Sequence, residues 1–440
     1  MHKILTPRLI PALIAVAFSG TAAASGFQLW EQNGSGLGNA YAGSAAVAEN
    51  ASTVFFNPAG MTQLQDREVS VGGNVITTSY KFTDNGSSTS VLTGDGNDGG
   101  GTGFVPNAYM SMALTKDLYF GLGIGAPFGL KTEYDNPWTG AAQSVKFEVK
   151  TININPSLAW RVNETVSLGA GLNWQRLEAE YVRAVGVTRI NGVVDVADAT
   201  ATLKLDGDSW GWNVGALFKI GQATKVGVSY RSTVKHDLKG DVSVTSNGNA
   251  TANGTVTALN AGGASSDTKA TIKLPDTFII SATHDLSERW QLLGDISWTG
   301  WSSIPKVDIL RTSGVLNGAT AQTLDTNFRD TWRVAGGATF KLNDAVKLKM
   351  GVAYDQTPVK GPDTRLVSLP DNDRIWLSLG TQWKPTKATA VDVGGTYIFV
   401  KDSQINNNQT TASATTNRGT VKGDYDANAW ILGAQFSMAF

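Results

Sequence analysis

Apolar and polar residues alternate one by one over long stretches of this chain, the two-residue period of a β-strand with one buried or lipid-facing side. From Val346 one face reads Val346, Leu348, Met350, Val352 and Tyr354, and the other Lys347, Lys349, Gly351, Ala353 and Asp355. From Ile375 the apolar face Ile375, Leu377, Leu379, Thr381, Trp383 opposes Trp376, Ser378, Gly380 and Gln382. From Trp290 the series is Trp290, Leu292, Gly294, Ile296 and Trp298. Aromatic residues gather near the ends of these faces, as in strands that meet lipid between two interfacial girdles.

The connections have a parity. Short polar turns fall at Thr115-Lys116-Asp117, Val162-Asn163-Glu164, Gly221-Gln222-Ala223, Leu286-Ser287-Glu288, Leu342-Asn343-Asp344 and Lys384-Pro385-Thr386. Between them lie longer stretches rich in Gly, Asn, Thr and Ser, centred on 83–102, 131–144, 188–207, 241–267, 307–327, 357–371 and 402–424. Six short and seven long connections imply fourteen strands. An even number of antiparallel strands, with short turns on one side and long loops on the other, predicts an all-β transmembrane fold, a 14-stranded outer-membrane β-barrel. A soluble sandwich has no reason to sort its loops this way. The final strand puts Trp430, Leu432, Ala434, Phe436, Met438 and Phe440 on one face. That terminal aromatic resembles the signal read by the barrel assembly machinery during biogenesis.

The amino terminus reads as an export address. Lys3 and Arg8 precede an apolar run from Leu9 to Phe18, and Ala22-Ala23-Ala24 offers a cleavage site before Ser25. Residues 1–24 are therefore expected to be a signal peptide cleaved after Ala24, and the mature protein to reside in the bacterial outer membrane. Composition narrows the chemistry. With 49 glycines, 3 histidines and no cysteine in 440 residues, disulfides, thiolate zinc sites and cysteine nucleophiles are excluded. A balance of 36 Lys+Arg against 37 Asp+Glu argues against a nucleic-acid partner. No cofactor or metal is implied. Gly94 to Gly99 resembles a calcium loop only faintly, since its twelfth position is Pro106 rather than a Glu.

Fourteen strands enclose too wide a lumen for wall side chains alone to fill, so the barrel is an open pore or carries a plug. Residues 25–66 precede the first alternating strand of the barrel domain, 67–440, and do not alternate. They are rich in small residues (Gly34, Gly36, Gly38, Gly43, Ala45, Ala46, Ala48), which suits close packing inside a lumen. Asn57-Pro58-Ala59 places a capping side chain ahead of a proline at a first helical position, so a short helix should start there. The glycines at 34, 36 and 38 lack the strand–loop–helix setting of a phosphate loop.

In strand three, LYFGLGIGAPFGL, alternation puts Leu118, Phe120, Leu122, Ile124, Ala126 and Phe128 outside and Gly121, Gly123, Gly125 and Gly129 inside. Pro127 cannot donate a ladder hydrogen bond, and a barrel has no edge strand to hide it. The wall is expected to open at Gly125, Ala126, Pro127 and Gly129, by a bulge that either merely curves the barrel or serves as a gap.

The mature start SGFQLWEQNGSGLGNAYAG, the stretch AVAENASTVFFNPAGM, and the segments YRSTVKHDLKG, LPDTFIIS, FRDTWRVAGGATF and LPDNDRIWLSLG closely resemble the FadL family of outer-membrane transporters of long-chain fatty acids and other hydrophobic compounds. The likeness covers essentially the whole mature chain. It implies a monomeric barrel with a mostly helical amino-terminal hatch and a kinked third strand through which ligand leaves sideways into outer-membrane lipid. Passive uptake then needs no energy-coupling motif. By strand parity Arg183 falls on the inward face of strand five with Ser167, Gly169, Gly171, Asn173 and Gln175. The resemblance assigns an arginine at this place to the ligand; internal pairing with Glu178 or Glu180 is the plain alternative. Lys306 is a candidate second cation, and the resemblance makes Phe27 and Leu29 apolar contacts. Phe128, Leu130 and Trp138 are expected in an outer hydrophobic groove, and Asn57, Pro58 and Ala59 are expected to shape the passage close to the break.

Three other functions make different demands on the sequence. A FadL-type channel for aromatic hydrocarbons would need no carboxylate partner. A general porin would have charged lumen faces and no hatch. An outer-membrane hydrolase would need a nucleophile and base, but His284 lies beside a tight turn and His236 has no convincing serine partner. The chain is therefore not expected to be an enzyme.

Overall fold

The computed structural model describes residues 26–440 except 89–91, 186–187, 191–192, 196–198, 247, 249 and 412–416; the expected signal peptide lies outside the described residues. Fourteen antiparallel strands form a closed barrel. They are β1 (Arg67–Asp84), β2 (Gly101–Ala113), β3 (Leu118–Gly125 and Gly129–Glu133), β4 (Lys146–Arg161), β5 (Val166–Val185), β6 (Ala199–Ile220) and β7 (Thr224–Arg231 and Val234–Ser246). There follow β8 (Ser266–Leu274 and Thr277–Asp285), β9 (Trp290–Thr299, continued by Val307–Arg311), β10 (Thr320–Leu324 and Thr331–Lys341), β11 (Val346–Asp355), β12 (Arg374–Trp383), β13 (Thr389–Val400 and Ser403–Asn408) and β14 (Thr420–Ala439). The cylinder closes where β1 pairs with β14, from Glu68↔Ala439 to Asp84↔Gly423.

The alternation translates directly into an inside and an outside. On β12, Leu379 is 70% exposed on the lipid side while Trp376 and Ser378 are buried in the lumen. Trp160, Trp290 and Trp383 face outward near the short-turn end, and Trp210, Trp212, Trp332 and Trp430 face outward higher up. Five of the six tight turns are built by one device. Asn163 Oδ1 accepts from the amides of Thr165 and Val166, and Asn343 Oδ1 from those of Ala345 and Val346. Thr115, Ser287 and Thr386 do the same through their hydroxyls.

The long connections differ from expectation. Stretches read as loops at 188–207, 241–267, 307–327 and 402–424 contain the upper ends of β6, β7, β9 and β13 and a helix, α2 (Ala250–Ala261). Their polar residues resemble loop composition, yet pairing continues above the lipid. Arg176 ties this extension together on its outer face, reaching Asp206 at 2.8 Å, Asp208 at 3.1 Å and Glu178 at 3.1 Å.

Inside the lumen the segment from Gly26 to Asp66 forms the plug, carrying a one-turn helix α1 (Thr53–Phe56) and 3-10 turns at Leu37–Asn39 and Pro58–Gln63. Its seat is made by wall glycines. A β-carbon at Gly227 would overlap the Ala45 carbonyl, and one at Gly169 would overlap the Ala59 amide.

Candidate functional site

The third strand breaks where its proline predicts. Pairing with β2 ends at Ala108↔Ile124, and among the described residues the upper half of β3 pairs with β4 but not with β2. Gly125 faces Asn153 whereas Gly129 faces Lys150, so three residues of β3 oppose two of β4. That surplus residue is a β-bulge, and it reverses the facing of everything beyond it. Ala126 and Phe128, expected outside, are buried at 7% and 4% exposure. The amino-terminal segment closes the break from within. Leu29 N donates to Pro127 O at 2.8 Å, Gly129 N to Phe27 O at 2.9 Å, and Gln32 Nε2 to Ala126 O at 2.7 Å. The plug thus supplies the strand that the wall lacks at this level.

Asn57 is the hub of the plug. Its Oδ1 accepts from Ala59 N at 3.1 Å, capping the Pro58–Gln63 turn, while its Nδ2 donates to Ala45 O at 2.7 Å and Ala216 O at 3.0 Å. Asn57, Pro58 and Ala59 were expected beside the strand-three break. They lie instead on Gly169 of β5 and Gly215 of β6, and only the flanking Val54 and Met61 reach the β3 glycine Gly121. The far side of the plug is held by an ion cluster not anticipated from the sequence. Buried Lys349 of β11 donates to Glu49, to Asp392 at 2.9 Å and to Ser35 O at 2.9 Å. Burial alone would raise the Glu49 carboxyl, but Lys349 and Lys347 outweigh it and hold it low. Glu31 is the opposite case. Both its oxygens lack a hydrogen-bond partner among the described residues, and burial pushes its carboxyl up to about 7 despite the charges of Arg333 and Arg374.

Above the break the inward faces of the strand extensions turn apolar. Leu177, Tyr181, Leu203, Leu205 and Leu238 form one buried cluster with Phe27, Phe128, Leu130, Trp301 and Phe328. Phe27 meets Trp301 edge-on at 4.9 Å and lies 5.9 Å from Phe128. Leu29 sits one level lower, under Gly129. The register of β5 with β6 is unbroken through Arg183↔Ala201, so no bulge intervenes before Arg183. Arg183 stands between Tyr181 and Val185 of the apolar cluster, within electrostatic reach of Arg418 and Arg311. Neither Glu178 nor Glu180 pairs with it: Glu178 holds Arg176 and Glu180 holds Lys146. Among the described residues the hydrogen bonds of all three arginines go to neutral acceptors, Ala184 O for Arg183, Gln409 Oε1 for Arg418, and Gly263 O, Ala264 O and Ser266 Oγ for Arg311.

Four expected members fall elsewhere. Lys306 is exposed and paired with Asp308 at 2.7 Å, so the charges accompanying Arg183 are Arg311 and Arg418 instead. Trp138, expected on an outer groove, is fully buried, stacked on Tyr134 at 4.1 Å with its indole N–H on Ser144 O at 3.1 Å. Phe128 and Leu130 likewise face the interior chamber and not an outer surface. The β3–β4 loop carrying Trp138 folds inward as a roof. Gln143 Nε2 reaches Asn407 O and Gly419 O at 3.1 Å, and Tyr134 Oη reaches Val367 O at 3.0 Å.

A lipid-facing wall, a plug made from the chain's own amino-terminal segment and an apolar chamber above it define an outer-membrane transport barrel. The chain belongs to the outer membrane protein transport protein family (OMPP1/FadL/TodX), whose model matches residues 15–440. It is accordingly a FadL-type transporter of hydrophobic compounds in the outer membrane. It is 30% identical over 444 residues to the long-chain fatty acid transport protein of Salmonella typhi, covering 97% of each chain. It is 29% identical over 443 residues to outer membrane protein P1 of Haemophilus influenzae, covering 92% of each. In fold it matches a Pseudomonas aeruginosa FadL homologue with a TM-score of 0.84 at 23% identity, covering 94% of this chain and 99% of that one. The Ralstonia pickettii toluene transporter TbuX matches at 0.66 and 15% identity, covering 94% and 100%.

Proposed function

We propose that this barrel takes up long-chain fatty acids passively, holds them in the upper chamber with the carboxylate on Arg183, and releases them sideways through the break in β3. The observation that carries this reading is the set of three arginines, Arg183, Arg311 and Arg418, beside an apolar chamber, with their hydrogen bonds among the described residues on neutral acceptors. Charged side chains in such surroundings are costly unless an opposite charge meets them. A carboxylate on an acyl chain satisfies both the charge and the apolar walls.

Sideways release follows from energetics. Burial stabilises each methylene by about 0.8 kcal/mol, so roughly 12 kcal/mol of transfer energy is at stake for a sixteen-carbon chain. Discharge into water would forfeit nearly all of it, whereas discharge into lipid forfeits little. The rings of Phe27, Phe128 and Trp301 would also suit a monoaromatic hydrocarbon, but such a ligand leaves the arginines unmatched. Native mass spectrometry of protein extracted from its own host tests the choice. Co-purified free fatty acids are expected; neutral aromatic ligands alone would overturn the fatty-acid reading.

A further inference from the structure

A further, partly buried cation lies apart from the chamber arginines, at the break itself. Arg231 ends the lower half of β7, inside the wall at the level where β3 is interrupted. A small pocket there is lined by Leu29, Trp30, Phe55, Phe56, Pro127 and Phe128, with Arg231 as its cation. The guanidinium lies 4.1 Å over the Phe55 ring. Nη2 donates to Phe55 O at 2.9 Å and Nη1 donates to Asn173 Oδ1. Both acceptors are neutral, and among the described residues no carboxylate stands within ion-pair distance of Arg231. The buried cations Lys349 and Arg374, by contrast, each have an aspartate. Arg231 also keeps accessible surface although its strand position points it into the lumen, and that surface opens on the cavity.

A hatch anchor alone would not call for this arrangement. Holding the Phe55 carbonyl needs one donor, and a glutamine would supply it without burying a charge. An arginine facing a mostly apolar cavity, with donors left over and no counter-charge, is suited to an anion that carries an apolar chain. Phe128 belongs to both the chamber and this cavity, so the two spaces adjoin.

We infer that Arg231 is a transit site for the carboxylate of an acyl anion, receiving the head group after it leaves Arg183 and holding it beside the break while the tail enters lipid. This rests on the fatty-acid reading above. It removes the difficulty that an anion released from Arg183 would otherwise cross the plug level without a counter-charge.

The test compares initial uptake of oleate and of oleyl alcohol by cells bearing wild-type, Arg231→Gln or Arg231→Lys protein, alongside oleate affinity of the purified barrels. Arg231→Gln, which keeps a donor for Phe55 O, is expected to slow oleate uptake ten-fold or more. Its oleate affinity at the chamber and its oleyl alcohol uptake should stay within two-fold of wild type. Arg231→Lys should retain most oleate uptake. Equal loss for both ligands, or loss for neither, would overturn the assignment and leave Arg231 a hatch anchor. Wild-type protein that accelerates oleyl alcohol but not oleate would overturn the fatty-acid reading and this assignment together.

Discussion

Deleting one residue between Gly125 and Gly129 is expected to reduce uptake of labelled oleate to background while its affinity for the purified barrel stays near normal. The deletion removes the surplus residue that sets Gly125 against Asn153 but Gly129 against Lys150. With the slip gone, the two halves of β3 share one register on β4, and the upper half can zip against β2 beyond Ala108↔Ile124. The deletion also removes the unpaired edge to which Leu29 N and Phe27 O now bond. Arg183 and the Leu203 and Leu205 walls are carried by β5 and β6 and not by the altered strand, so binding persists. Pro127→Val alone should do less, because Gly125 and Gly129 still favour the bend. A crystallographically closed variant that transported at the normal rate would mean that ligand passes the plug into the periplasm.

Arg183→Ala is expected to weaken oleate binding ten-fold or more and to leave toluene binding unchanged. A charge-assisted hydrogen bond to a carboxylate is worth roughly 1.5–3 kcal/mol, and about 1.4 kcal/mol is a factor of ten. Arg311 and Arg418 would soften the loss by leaving positive charge in reach. A neutral ligand feels only the apolar walls, which the substitution does not touch. Isothermal titration of both ligands checks this. Equal losses would show that Arg183 acts by packing, and no loss for oleate would remove it from the site.

Local chemistry explains what could be read in advance. Strand number was legible because the faces of β9, β11 and β12 alternate strictly and because Asn163, Asn343 and Thr386 mark turns by their own side-chain chemistry. The break was legible at Pro127, and the inward facing of Arg183 by parity along an uninterrupted strand. Parity failed where a residue was added. Phe128 is inward because the bulge precedes it, and the interruption of β7 at Ser232 and Thr233 likewise turns His236 into the lumen. Trp138 looked like a groove residue, but the β3–β4 loop turns inward, which no local pattern announces.

Partners brought together from distant loops were also invisible. Arg311 and Arg418 join Arg183 only through the fold. Lys349 carried a weak signal, being a lysine on the lumen side of a membrane strand, a costly position that demands a partner; its partner Glu49 lies in the plug 300 residues earlier. Asn57 was recognised as a cap, but its contacts with β5 and β6 depend on how the whole plug is seated.

Sideways release is tested most directly by the positions at which a diazirine-bearing oleate attaches during a single round of uptake, read by mass spectrometry in wild-type and deletion variants. Phe104 of β2 and Ile124 of β3 border the break on its lipid-facing side. Adducts on these two residues, present in the wild type and absent when β3 is straightened, are the expected result. Adducts confined to the plug residues and the short periplasmic turns, and the same in both proteins, would contradict release through the wall.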